Sequence, residues 1–411
     1  MEIGVAKRVF GFTLGTPMGG YVTRKERLAT HKLDEPALRA IALRNKQTLA
    51  VMVSADLLVI TPEINQAVSD RVLPILPEGT VLFLHANHTH SSAGAFWNHR
   101  LARWFMGRYR EAVFTRIVDT FSAAILEAVD DLQIGSAAVG TTRMPGMNEN
   151  RRIAGADVDD RLTVARFDVE GKTKAALVAF AAHPVIAAEK DFHGMSGDYP
   201  AEICRMLEQD IPVVGFLQGA IGAVSPVWPD HIDDATEHIR FMAEPIVEKT
   251  RSILAGLKPL KSAKLQAGYE PIVKPPFGVD PFPKDWKWSP LLYYPAIKAW
   301  EALHTKKYAD RTTSICGVRI NDHVFVGFPA DLGDLLSRTM SSDANKFDLT
   351  STCLSHTGDF IGYVHRREDM DAHPPKESRG MFIYENFMNF HGKDTGDALM
   401  QANEKLLAQF V

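Results

Sequence analysis

The sequence predicts an α/β protein: a large mixed β-sheet core flanked by helices, with a metal site at the C-terminal ends of strands. Three observations carry this. Short apolar, β-type runs alternate with longer stretches whose apolar residues recur every three or four positions, the pattern of strands covered by helices. Of the 411 residues, 45% are hydrophobic and 23% charged, which supplies a sizeable core and excludes a disordered chain. Finally, histidines or a carboxylate stand just past the ends of three apolar runs.

Taken in order, strands are expected at Leu49–Val53, Val81–His85, Gly135–Thr141, Leu162–Val169, Ala175–Ala182, Pro212–Leu217, Lys264–Gly268, Ser314–Ile320, His323–Phe328 and Leu349–Leu354. Helices are expected at Glu63–Leu73, Tyr109–Val129, Pro200–Gln209, Asp234–Leu257, Gly333–Asn345 and Thr395–Phe410. Between Pro271 and Trp300 the chain is dense in proline and aromatic residues, including Trp286, Trp288, Tyr293 and Tyr294. Proline locks φ and interrupts ladders, so this insert is expected to be irregular: a cap on the core, or a lid and apolar wall beside a substrate.

Charge excludes one class of partner. Forty-six Lys and Arg against 50 Asp and Glu give −4, so no global positive field exists to collect nucleic acid or an anionic membrane surface. Cys204, Cys316 and Cys353 are too few and scattered for a disulfide framework, which favours a reducing compartment. No run approaches the roughly 18 apolar residues of a membrane span, and no charged-then-apolar leader opens the chain, so the expectation is a cytoplasmic protein without a transmembrane segment. Self-association into a homo-oligomer stays open.

The chemistry concentrates at the strand ends. In Leu84-His85-Ala86-Asn87-His88-Thr89-His90-Ser91, residues two apart on an extended segment point the same way, so His88 and His90 can share one cavity, one as ligand and one as supporting donor or acid. Ala182-His183-Pro184 and Phe328-Pro329-Ala330-Asp331 each end an apolar run on a metal-ligating side chain. Two imidazoles and a carboxylate with an open position are a recognised way to hold catalytic Zn2+. Gln218-Gly219-Ala220-Ile221-Gly222-Ala223-Val224-Ser225-Pro226 adds a glycine-punctuated turn whose amides can donate to an oxyanion, with Ser225 as nucleophile, hydrogen-bond donor or simple turn residue. It lacks the Gly-x-Ser-x-Gly elbow of serine hydrolases.

Laid in order, these segments resemble the neutral/alkaline (non-lysosomal) ceramidase family, specifically its catalytic domain. Ile3 to Lys7 with Met18-Gly19-Gly20-Tyr21 is similar to its opening strand and Gly-Tyr turn, Val53-Ser54-Ala55-Asp56-Leu57 to its Ser-x-Asp-Leu strand, and His88-Thr89-His90-Ser91 to its His-Thr-His-Ser signature. Asn148 to Arg152, Ala182-His183-Pro184, Ser196-Gly197-Asp198, Gln218 to Pro226, Phe328 to Asp331, Asp359 to Val364, and Tyr384-Glu385 with Gly392 follow in the family's order. The resemblance implies zinc held by His88, His183, Asp331 and Tyr363, with His90 and Arg151 at the substrate carbonyl and Ser225 as the essential serine. Asp331 stands where the family has glutamate, and Ala223 where it has aspartate.

The expectation is therefore a single ceramidase-like catalytic domain over residues 1–411, with 271–300 as insert or lid. The implied activity is zinc-dependent hydrolysis of an N-acyl amide by metal-activated water, within lipid metabolism. The substrate would be a small molecule with an apolar group, contacted by Trp286, Trp288 and Tyr384. His90, Arg151, Ser225 and Tyr363 are the catalytic candidates. Hydrolysis of an ester, lactone or cyclic amide shares the tetrahedral chemistry, and a non-catalytic binding protein on the same fold is the rival from another class.

Overall fold

The computed structural model describes residues 1–99, 102–275, 278, 312–371 and 379–411. Its core is an eight-stranded mixed sheet ordered Val213–Gln218, Lys172–Phe180, Arg161–Val169, Gln133–Arg143, Glu2–Val9, Ala37–Arg44, Leu49–Ala55, Val81–Ala86. The five internal pairings are antiparallel, whereas the two edge strands each run parallel to their neighbour. A second sheet orders Leu265–Ile272, Thr313–Ile320, His323–Gly327 and Thr350–Leu354. Side chains from both sheets, among them Ile3, Ile41, Phe83, Phe167, Val318 and Phe325, form one buried apolar cluster between them.

Helices cover the remaining faces. Pro62–Val72 starts where the Thr61 hydroxyl accepts from the Ile64 amide (3.3 Å), and Ala235–Gly256 where Asp234 accepts from the Glu237 amide (2.9 Å), each satisfying a donor that a helix start leaves free. Glu111–Asp130 lays Ile117, Phe121, Ala124, Ile125 and Ala128 against the large sheet. Asp334–Asp343 and Thr395–Ala408 pack on the smaller one. Among the described residues no helix is long and apolar enough to cross a membrane.

Every strand and helix expected from the sequence forms, with ends shifted by a few residues. The central strand Ala37–Arg44 was not expected. Its Ala-Leu-Arg-Ala-Ile-Ala-Leu-Arg reads as helix-forming, but all but the last residue are buried between two strands, and that burial outweighs local propensity. The aromatic insert begins later than expected, since Pro271 and Ile272 still pair with Ser314 and Thr313. Most of the rest, including Trp286 and Trp288, lies outside the described residues.

The large sheet curls until its edges meet. The Gln218 amide on one edge donates to His85 Nε2 on the other (2.7 Å), and the Ser54 hydroxyl donates to the Phe216 carbonyl (2.6 Å). His85 then directs Nδ1–H to Thr357 Oγ1 (3.0 Å), tying the closure to the segment after Thr350–Leu354. The loops after Val81–Ala86, Lys172–Phe180 and Val213–Gln218 therefore leave from one place.

Candidate metal centre and catalytic site

Past Val81–Ala86 the chain turns through a left-handed residue. His88 has φ +67°, so the extended segment expected there is absent; the two histidines converge because the loop is clamped. Asn87 Nδ2 donates to Asp56 Oδ1 (2.7 Å) and its Oδ1 accepts from the Thr89 amide (3.0 Å). The Thr89 hydroxyl donates to the Ser196 carbonyl (2.8 Å), and the Ser196 amide to the Ser91 carbonyl (2.8 Å). Residues 87, 89 and 91 hold backbone, leaving the imidazoles of 88 and 90 to face inward.

There they meet His183. His90 Nε2 lies 3.2 Å from His88 Nε2 and 3.0 Å from His183 Nε2, all three rings being buried. His88 Nδ1 is 2.7 Å from the Leu58 carbonyl and His183 Nδ1 is 3.4 Å from that of Ile221. A carbonyl can only accept, so Nδ1 carries the proton in each and Nε2 keeps its lone pair. Burial, followed by repulsion from His356, pushes the His88 imidazole down to about 3. Burial likewise drives His90 and His183 well below the usual histidine range, His90 further lowered by His88 and His183 by Arg151. All three are neutral donors near pH 7.

Asp331 arrives from the second sheet, where Asp331–Leu332 pairs in parallel with Tyr363–Val364 and sets residues 331 and 363 side by side. Its Oδ1 accepts from His356 Nε2 (2.8 Å), while Oδ2 lies 3.9 Å from His88 Nε2 with no hydrogen-bond partner among the described residues. Burial raises its carboxyl above the ordinary range against the pull of His88 and Arg151. A buried carboxylate oxygen without a partner is unfavourable unless a cation completes it. His88, His90 and His183 are close enough to share a divalent ion, as are His88, Asp331 and His356, so His88 belongs to both sets and Asp331 meets the histidines through it.

Arg151 forms the other wall. Its Nε donates to Glu385 Oε1 (2.9 Å) and its Nη2 to the Tyr363 hydroxyl (3.2 Å). Burial works against the guanidinium's charge, but Tyr363 and Glu385 outweigh it and keep Arg151 protonated. Burial also lifts Tyr363 far above the normal phenol range, with Asp331 adding to the shift. Tyr384, 42% exposed, packs edge-on against Tyr363 at 5.8 Å and marks the rim. Ser225 lies on the short strand Val224–Pro226, where its hydroxyl accepts from the Trp228 indole N–H (2.9 Å); among the described residues no imidazole hydrogen-bonds to it.

The structure thus brings together His88, His90, His183 and Asp331 in one cluster and Arg151, Tyr363 and Tyr384 in the adjoining wall. Sequence reasoning missed His356 and Glu385. His356 follows the expected strand 349–354 just as His183 follows its own, so the strand-end rule that found His183 reaches it too. Glu385 lies in the Tyr384-Glu385 segment of the resemblance, but its role carried no local signal, since its partners Arg151, Arg152 and His365 come from distant segments.

Two solved structures share this fold over 100% of the chain. A neutral ceramidase from Pseudomonas aeruginosa superposes with a TM-score of 0.82 at 18% identity, 74% of that chain being covered. A ceramidase complexed with C2 gives 0.81 at 19% identity, 75% of it covered. Comparison with curated protein sequences returned no match. Residues 2–228, more than half of the sequence, match the family described as neutral/alkaline non-lysosomal ceramidase, N-terminal, and the chain accordingly belongs to the neutral/alkaline non-lysosomal ceramidase family.

Proposed function

We propose that this protein is a zinc-dependent hydrolase of an N-acyl amide with an apolar group, ceramidase-like in substrate class. The observation that carries the reading is the convergence of three imidazole Nε2 atoms, 3.0–3.2 Å from His90 to the other two, beside the unpartnered Oδ2 of Asp331. Nitrogen donors with one carboxylate suit Zn2+ better than Mg2+ or Ca2+. When bound, such an ion lowers the pKa of water to about 7 and polarises a carbonyl. His88, His183 and Asp331 would hold it, and the resemblance of the Asp359 to Val364 segment to the family pattern, with Tyr363 paired beside Asp331, supports Tyr363 as a further ligand. Arg151, fixed by Glu385, supplies the cation that stabilises a tetrahedral oxyanion. His90 is the group placed to hand a proton to the leaving amine. Tyr384 at the rim would meet the apolar part of the substrate.

The test is metal analysis of the purified protein, followed by amide, ester and lactone substrates of graded acyl length. Zinc near one equivalent, with amide hydrolysis lost on chelation and restored by Zn2+, is the expected result; hydrolysis indifferent to chelator overturns it. Ser225 is proposed as a hydrogen-bonding rather than a nucleophilic residue, because the Trp228 indole N–H engages its oxygen. Mass spectrometry of a quenched turnover should therefore find no acyl group on Ser225, and a covalent adduct there would refute this.

Gly20 supplies a further prediction. A Cβ at this position would come within 2.4 Å of His90 Nδ1, and its φ of +106° disfavours any side chain. Gly20→Ala should displace His90 and lower kcat about a hundredfold, the scale set by misplacing a reacting group by an ångström. It should also lower the unfolding free energy by about 1–3 kcal/mol. Unchanged kcat would show that His90 tolerates displacement.

A further inference from the structure

A side chain that nothing in the family pattern above assigns lies against the proposed ligands. His356 is fully buried, has a left-handed backbone (φ +50°), and stacks face to face on His88 with ring centroids 3.8 Å apart and planes 7° from parallel. Phe360 stacks beyond it at 5.7 Å and 25°. Its backbone is pinned from both sides, the His356 amide donating to the Ala330 carbonyl (3.2 Å) and the Ala86 amide to the His356 carbonyl (3.1 Å). Residues held in sparsely populated φ/ψ cluster where the surroundings over-determine them, and here two of the histidines at the cluster, 88 and 356, share that feature.

His356 Nε2 is 2.8 Å from Asp331 Oδ1, and its Nδ1 has no partner among the described residues. A neutral imidazole bonded to a carboxylate through Nε2 donates through that atom, which leaves the other carboxylate oxygen aimed elsewhere. That other oxygen, Oδ2, is the one facing His88. Asp331 is one methylene shorter than the glutamate the family resemblance calls for. A short arm has fewer torsions to set and less reach, so the direction of its free oxygen depends on what grips the bound one.

From this geometry we infer that His356 is a positioning residue: by donating to Asp331 Oδ1 and stacking on His88 it orients the short carboxylate, so that Oδ2 serves as the metal's oxygen ligand. The inference rests on the metal reading proposed above and specifies how this chain accommodates aspartate. Groups hydrogen-bonded to ligands fix ligand orientation, and their loss lowers metal affinity about 10- to 100-fold.

The experiment measures Zn2+ affinity by competition with a chromophoric chelator, together with the visible spectrum of the Co2+-loaded protein and melting of the metal-free form. His356→Phe retains a ring over His88 but removes the donor, and should weaken Zn2+ binding about 10- to 100-fold. His356→Gln keeps an N–H for Asp331 and should recover most of the affinity, with a Co2+ spectrum like that of the wild type. In an Asp331→Ala background, His356→Phe should cause no further loss, because its effect passes through that carboxylate. Equal affinity in His356→Phe and wild type overturns the inference while leaving the metal reading intact. Additive losses in the double variant, with a changed Co2+ spectrum in His356→Gln, overturn it by making His356 a ligand. A wild-type protein that takes up no Zn2+ overturns the metal reading itself.

Discussion

Alanine at His88 or at His183 should reduce amide hydrolysis roughly a thousandfold or more, and added Zn2+ should not restore it. Each side chain contributes one of the converging Nε2 atoms, and each is oriented through Nδ1 by a backbone carbonyl, so its loss removes a fixed donor. Lewis-acid stabilisation is worth several kcal/mol, and each 1.36 kcal/mol is tenfold in rate, which sets the magnitude. The fold should survive, because the loop around His88 is held by Asn87, Thr89 and Ser91 rather than by the ring. The check is kcat/KM and Zn2+ content of both variants beside their melting temperatures; wild-type turnover in either would end the metal mechanism.

Glu385→Ala should destabilise the protein by about 3–5 kcal/mol, the range seen when one partner of a buried ion pair is deleted. Glu385 is fully buried and faces Arg151 at 2.9 Å, Arg152 at 3.3 Å and His365 at 3.2 Å, so its removal leaves two interior guanidinium groups without their shared carboxylate. Arg151 would also lose the anchor that points Nη2 at Tyr363, so kcat should fall alongside stability. Glu385→Gln, which keeps the shape and some hydrogen bonding, should lose less of both. The pH dependence has a definite sign. Burial alone would raise this carboxyl, but Arg151, His365 and Arg152 together hold it below its ordinary 4.5. Its stabilisation is then complete above that value and is lost as pH falls through the lower folded pKa. Urea titrations of wild type and Glu385→Gln across that window should show the gap narrowing in acid; a constant gap would mean the charge contributes nothing.

Much of the site was legible because it follows from local pattern. Apolar runs stop at His88, His183 and Asp331, and a chain leaving the end of a buried strand must put its next polar groups into whatever cleft the strand ends share. The wall was not legible in the same way. Arg151 and Glu385 are separated by 234 residues and His85 and Gln218 by 133, and nothing local in either segment indicates the other. Nor could spacing explain why His88 and His90 converge, since the left-handed turn at His88 depends on contacts with Asp56 and Ser196.

By itself the sequence determined the strand and helix periodicity, the absence of a strong charge field and which side chains stand as candidate metal ligands at the strand ends, because these depend on residue type and on neighbours a few positions away. Tertiary structure decided the rest. It made a strand of the helix-prone Ala37–Arg44 by burying it between two others, and curled the large sheet until its edges met through His85 and Gln218. It also set His356 against Asp331 and Glu385 between two arginines. These outcomes depend on which surfaces are desolvated together, a property of chain closure over long separations that no single segment encodes.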